Sequence, residues 1–317
     1  GTWDKSDIVG MNPKEDWMLE YEYARSALQN GLILEEKFGT NPYKFGMIGS
    51  TDAHTSLATT REENYYGKAS HLEPEGDRWE HVIIGSLSGN PELSSYSYES
   101  IGAGLAAVWS EENSRTGIFD AMTRKETYAT TGTRIIVRMF GGWDFTESDM
   151  DENYVNTGYE KGVPMGGDLT TAPKGKTPIF MIKSSKDIDG ANLDRVQVVK
   201  GWVDKNGERK EKVYDVAVSD DRIIDKAGKC STPVGNTVDV TNATYTNSIG
   251  DVELETLWSD PDFDPSLRAF YYVRVLEIPT PTWQAYDAKR FGVKMPDTVE
   301  MMAQERAYTS PIWYTPK

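Results

Sequence analysis

Two hydrophobic regimes divide the chain. Near the start, apolar residues recur at helical spacing: Trp17, Tyr21, Ala24 and Leu28 follow Asn12, Pro13 and Glu15. This pattern predicts a helix with Asn12 as N-cap, Pro13 in its first turn, Glu15 completing a capping box and Gly39 closing the C-terminus. After Pro42, the run YKFGMIGS predicts a short buried strand released by Gly49. Residues 62–100 are rich in charge, Gly, Pro and Ser and predict an excursion with one short strand around His81 to Ile84. LAAVW at 105–109 predicts a second buried strand, and the stripe of Ile118 and Met122 behind it predicts a helix. Strand, acidic turn and helix in succession give the first 130 residues an α/β character.

Past Gly132 the period changes to that of strands. RIIVRMF, TPIFMIKSS, DRVQVVKGWV, KVYDVAVS and AFYYVRVLEI are separated by loops of Gly, Asp, Asn or Pro, the spacing of an antiparallel β-sandwich. Asn206 and Gly207 mark a hairpin turn between Trp202 and Tyr214. The aromatic tail AYTSPIWYTP is expected to pack back on the body of the protein. The division predicted is residues 1–133 for the α/β part and 134–317 for the sandwich.

Charge and composition narrow the function. The 317 residues carry 34 Lys+Arg against 50 Asp+Glu, a formal charge of −16, which argues against nucleic acid as a partner. No apolar run approaches the roughly 20 residues of a membrane helix. One cysteine, Cys230, leaves no internal disulfide and no thiolate zinc site. GAGLAA at 102–107 has the glycine spacing of a dinucleotide loop but no strand before it, GSLSG at 85–89 has Leu87 where a nucleophile elbow needs serine, and DPDFDPS at 260–266 lacks the glycine and glutamate of a calcium loop.

Three histidines occur, His54, His71 and His81. In IGSTDAHTS, Asp52 and His54 stand two apart beyond the first predicted strand, so an extended backbone projects both side chains to one side, where carboxylate and imidazole can share a metal. By itself the pair is a weak signal and fits a capped turn with a hydrogen-bonded histidine better. Arg61, Arg115 and Arg124 are candidates for clamping an anionic substrate, with surface ion pairs as the plain alternative. Glu111 and Glu112 follow the LAAVW strand where a βα-loop carboxylate would sit, or serve as helix N-terminal acids. His71 and His81 are expected to be surface or structural.

The stretch EYARSALQNGLILEEKFGTNPYKFGMIGSTDAHTS, with EENYYGK, AAVWSEENSRTGIFDAMTRKETYATTGTR, VPMGGDL and RVLEIPTPTWQAYDA in order behind it, resembles the DUF3604 family over nearly the whole chain. That family is similar to the PHP (polymerase and histidinol phosphatase) metallophosphoesterases. The resemblance implies a partial PHP-like β/α barrel segment in residues 1–133 followed by the antiparallel sandwich. It further implies Asp52 and His54 as ligands of divalent metal ions (Zn, Mn or Fe) acting on a small anionic or ester substrate; beside them, Glu111, Arg115 and Arg61 are the candidates for catalytic support by position and charge. It favours a periplasmic or extracellular location. No His-x-His pair of the PHP pattern occurs, so the chain reads as the C-terminal part of a longer polypeptide, inactive without the missing N-terminal part of the same protein. The competing reading is a carbohydrate- or envelope-binding sandwich without catalysis, in which Trp143, Trp202, Trp258, Trp283 and Trp313 would do the binding.

Overall fold

The longest of the described strands, Leu193–Val203, is also the one that fixes the layers. Its alternate residues face two different cores: Val196 and Val198 enter one cluster, Val199 and Val203 another, as the period of two demands. A strand buried on both faces needs cover on both sides, and the rest of the chain supplies it. The computed structural model describes residues 5–7, 9–57, 59–102 and 104–316.

In chain order, helices α1 (Asp16–Leu19) and α2 (Ala24–Phe38) precede a small ribbon of β1 (Val82–Ile84) and β2 (Ser95–Tyr96). Strand β3 (Leu105–Val108), helix α3 (Arg115–Thr123) and strand β4 (Thr127–Thr130) follow. Then come β5 (Ile136–Gly142), α4 (Tyr154–Lys161), β6 (Gly162–Pro164), β7 (Asp168–Thr170), β8 (Ile179–Ser185), β9 (Leu193–Val203), β10 (Arg209–Val218) and β11 (Glu253–Ser259). The chain ends with β12 (Ala269–Glu277), β13 (Thr280–Pro281), α5 (Trp283–Phe291), β14 (Met302–Ala303), β15 (Arg306–Thr309) and β16 (Ile312–Thr315).

The larger sheet runs β10-β9-β12-β15-β4-β3, with β16 on β12 and β7 parallel to β16; the smaller runs β11-β8-β5-β6. Val137 and Met139 of β5, Phe180 and Ile182 of β8, and Leu254 of β11 meet Val196, Val198, Tyr271, Val273 and Val275 between the two sheets. Outside the larger sheet, Leu28 and Leu32 of α2 cover Val199, Val203, Phe270, Tyr272 and Trp313. Outside the smaller, Tyr154 and Val155 of α4 cover Phe140 and Met181. The order of layers is helix, sheet, sheet, helix, a β-rich α+β arrangement of mainly antiparallel sheets. The larger sheet includes strands from both sides of residue 133.

The five strands predicted after Gly132 form, Asn206 and Gly207 lie in the β9–β10 turn with Gly207 at φ +77°, and the tail inserts as β15 and β16 with Trp313 and Tyr314 1% exposed. Three expectations are corrected. The first helix does not begin on an Asn12 cap: the Asp7 carboxylate accepts from the backbone N–H of Met11 (2.8 Å) and from Asn12, tying that segment into a turn. The helical stretch is instead one turn of α1, a break, and α2 from Ala24, so Trp17 and Tyr21 are 62% and 68% exposed. YKFGMIGS makes no strand, because its donors are drawn off singly, Met47 N–H to Ser310 Oγ (2.8 Å) and Gly49 N–H to the Leu105 carbonyl (3.1 Å). Finally, β3 and β4 flank α3 as expected of a strand–helix unit but pair antiparallel, and no barrel closes among the described residues.

Gly39 does end α2, in the left-handed region at φ +74° with open space where a Cβ would stand. The Gly39→Ala variant therefore carries strain without a clash and should lose about 1 kcal/mol of unfolding free energy, measured in urea. An unchanged midpoint would show that the cap is not held in solution. No described helix is long and apolar enough to cross a membrane.

Candidate functional site

Asp52 sits at φ +46°, a left-handed position that turns the chain away from residues 43–50, and the turn brings its side chain back toward His54. His54 Nε2 stands 3.4 Å from Asp52 Oδ1, both side chains being 68% exposed. Lys68 anchors the turn: its Nζ donates to the Asp52 carbonyl at 2.6 Å and to Oδ2, while its own carbonyl accepts from His54 N–H at 2.8 Å. The hydrogen bond from Lys68, ahead of that from His54, holds the Asp52 carboxyl below the ordinary carboxylate range. The two side chains meet through a left-handed turn at Asp52 and not through the extended backbone that the spacing led us to expect.

As a metal centre, this pair is incomplete. A protein-bound metal of catalytic strength takes three or more protein donors. Among the described residues, the His, Cys, Asp and Glu side chains that converge in a group of three are Glu75, Asp77 and His81, elsewhere on the surface. There the imidazole faces Glu75 through Nδ1 and Asp77 through Nε2, both at 3.7 Å. The two carboxylates stand on opposite edges of the ring. His71 is exposed.

The cleft beside Asp52 holds more chemistry. A cavity of about 310 Å³ with Asp52 and Lys68 in its wall adjoins one of about 470 Å³ through Ser100, Ile101 and Thr131. The second adjoins a third, of about 110 Å³, through Glu62 and Glu305. Six glutamates line this path, Glu62, Glu63, Glu99, Glu277, Glu300 and Glu305, and burial raises three of them, Glu62, Glu277 and Glu305. Glu62 follows Arg61 in a single 3₁₀ turn, and its carboxylate accepts from Gly102 N–H (2.5 Å) and from Trp283 N–H (2.6 Å) at the start of α5, where the helix dipole favours an anion. Glu277 ends β12 and Glu305 precedes β15; the backbone N–H of Glu277 donates to the Glu305 carbonyl at 2.9 Å. The loop 130–133 serves both, Thr133 Oγ1 donating to Glu277 (2.5 Å) and Thr131 Oγ1 to Glu305.

Burial, with the Glu305 charge adding to it, pushes the Glu277 carboxyl up to about 8; the side chain is 2% exposed. Burial first and Glu62 second push Glu305 up to about 7, and burial also raises Glu62. Clustered carboxyls that titrate near neutrality are suited to giving and taking protons. The third cavity also meets Arg61, whose Nη2 is 3.0 Å from Asp189 Oδ2.

The other sequence candidates lie elsewhere. Glu111, Glu112, Arg115 and Arg124 follow the far end of β3: in the register Leu105↔Thr130 and Val108↔Thr127, the Asp52 cleft touches Thr130 and Gly104, whereas Glu111 lies past Val108. Four strand residues put these ends roughly 13 Å apart. Glu111 lines a separate cavity of about 780 Å³ together with Arg124, which pairs with Glu126 at 2.8 Å. Arg115 is exposed on the first turn of α3, and Glu112 accepts from the helix cap Ser114 at 2.5 Å. Asp52 and Arg61 thus line adjoining cavities, with His54 beside Asp52, and Glu111 and Arg115 do not.

Glu62, Glu277 and Glu305 escaped the sequence reading. The available signal was Glu277, an unpaired acid between Leu276 and Ile278 at the end of an apolar strand. The five tryptophans are core: Trp283 and Trp313 are 1% exposed, and Trp143, Trp202 and Trp258 pack half-buried on the cluster between the sheets. The carboxylates of DPDFDPS are engaged within the protein, Asp260 with Lys200 (2.6 Å), Asp262 with Lys212 (2.6 Å) and Asp264 with Ser266 (2.6 Å).

The family model described as "Protein of unknown function (DUF3604)" matches residues 1–316. No curated protein matches the chain.

Proposed function

The chain belongs to the DUF3604 family, and from that premise we propose that it is part of a PHP-like metal-dependent hydrolase, a phosphoesterase in reaction class, acting on a small anionic or ester substrate. The observation that carries this reading is the convergence of Asp52 and His54 at the mouth of a cleft whose inner wall holds carboxyls poised near neutral pH. Asp52 and His54 are two of the donors for a divalent metal, zinc, manganese or iron. Bound there, such an ion would supply charge neutralisation and an activated water. The remaining donors come from polypeptide outside the described residues, and by themselves these residues give no turnover. Arg61, exposed beside the cleft, attracts the anionic part of the substrate.

Elemental analysis of the purified chain beside an Asp52→Ala, His54→Ala variant tests the reading, with phosphomonoester and phosphodiester turnover followed in the same samples. The expected result is substoichiometric metal that disappears in the variant, and no turnover by either. Metal retained equally by the variant would remove Asp52 and His54 from the centre. Turnover at full rate would show that the described residues complete the site without outside donors.

A further inference from the structure

Glu111 and Arg124, which take no part in the Asp52 cleft, line a cavity of about 780 Å³ between the far end of β3 and α4. Its wall is built around one hydrogen-bonded chain. Arg138 of β5 donates from Nη2 to the Tyr159 hydroxyl at 2.8 Å; that hydroxyl donates to Oε2 of Glu126, whose Oε1 accepts from Arg124 Nε at 2.8 Å. Glu126 is 3% exposed and both its oxygens are engaged, so one buried carboxylate answers two guanidinium groups. Arg138 has the smaller share of it. Among the described residues no carboxylate lies within ion-pair distance of Arg138, whose guanidinium rests 4.2 Å over the Trp109 ring. Its cross-strand neighbour on β8 is a second cation, Lys183, which pairs with Glu255 at 2.9 Å. A guanidinium carries five N–H groups in a planar fork, and Arg138 gives one of them to a protein side chain. It is half-buried and lines the cavity. A half-buried cation with most of its donors unused and no counter-charge calls for an anion.

We propose that this cavity binds a hydroxylated carboxylate the size of one or two sugar rings, a sugar acid in chemical class. The carboxylate accepts from the remaining N–H groups of Arg138. Its hydroxyls donate to Glu111, exposed at the rim, and exchange hydrogen bonds with Asn156 on α4. The C–H face of the ring lies on Tyr159, which is 44% exposed. The mixed charge of the wall selects this class. Glu111 and Glu126 repel a doubly charged phosphate or sulfate, whereas one negative charge surrounded by hydroxyl donors uses Arg138 and Glu111 together. A volume of about 780 Å³ lies in the range of small-molecule sites. The inference stands apart from Asp52 and His54 and needs neither metal nor turnover.

A ligand-observed NMR titration with sodium D-glucuronate tests it, with D-glucose as the control that keeps the ring and lacks the carboxylate. Saturable binding of glucuronate alone is expected, weakened about tenfold by Arg138→Met. Asn156→Trp, which puts an indole into the cavity from an exposed position on α4, should abolish it. Each variant is first checked for the wild-type circular dichroism spectrum, and the exposed Asn156 site keeps the test open if the Arg138 variant fails to fold. Equal binding of glucose, no saturable binding of either compound, wild-type affinity in a folded variant, or displacement of glucuronate by sodium sulfate at lower concentration would each overturn the proposal.

Discussion

Replacing Asp287 by alanine should cost roughly 3–5 kcal/mol of unfolding free energy, the range for stranding one member of a buried ion pair. Arg78 and Asp287 are each 1% exposed. The guanidinium donates from Nη2 to Asp287 Oδ1 at 3.0 Å and from Nε to Oδ2, while Nη2 and Nη1 also donate to the carbonyls of Tyr65 and Tyr66. It lies 4.7 Å over the Trp283 ring. In the alanine variant this buried cation keeps its carbonyls and its ring but loses the Asp287 carboxylate. Burial raises the Asp287 carboxyl more than Arg78 lowers it, the sign of a pair whose desolvation is heavy. The double variant Arg78→Met, Asp287→Leu should therefore be milder than the single one. Urea unfolding of the three proteins decides the matter, and a loss below about 1 kcal/mol for Asp287→Ala would mean that the pair is hydrated in solution.

The second large effect has the opposite sign. The Glu277 carboxyl is raised from an ordinary 4.5 to about 8, so the folded state holds a proton that the unfolded chain gives up. Its contribution to stability is complete below about pH 4.5 and drains away as pH rises through 8. At 1.4 kcal/mol per unit, this is on the order of 5 kcal/mol across the window. Glu305 and Asp187 oppose its ionisation and Lys186 and Thr133 favour it, so the titration belongs to the group as a whole. Glu277→Gln should match the wild type near pH 5, exceed its stability at pH 8, and flatten the pH profile between. A variant less stable than wild type at pH 8 would show that Glu277 is ionised in the fold and held by a donor.

The sandwich was legible because each inner strand carries its own evidence: β-branched and aromatic residues in runs of seven to eleven, with turn residues between. The Asp52–His54 pair was legible because two residues of one turn need nothing distant to meet. Glu62, Glu277 and Glu305 come from three remote segments, and the threonines that hold two of them, Thr131 and Thr133, read in sequence as an ordinary loop. Trp17 and Tyr21 misled for a related reason. Their spacing is helical, but Asp7 takes the Asn12 amide that a capping box would have used, and the Lys5 carbonyl takes that of Lys14. Local pattern is decided locally until a side chain from elsewhere competes for the same donors.

Thr130 of β4 pairs with Ala307 of β15, so during synthesis β4 waits for a partner that lies far along the chain. Until then, β3 and β4 are a two-stranded ribbon joined through α3, too small to be stable alone. The nascent chain must be shielded until that partner is made, and loss of β15 and β16 would leave a product for degradation, because the edge of β4 would never close.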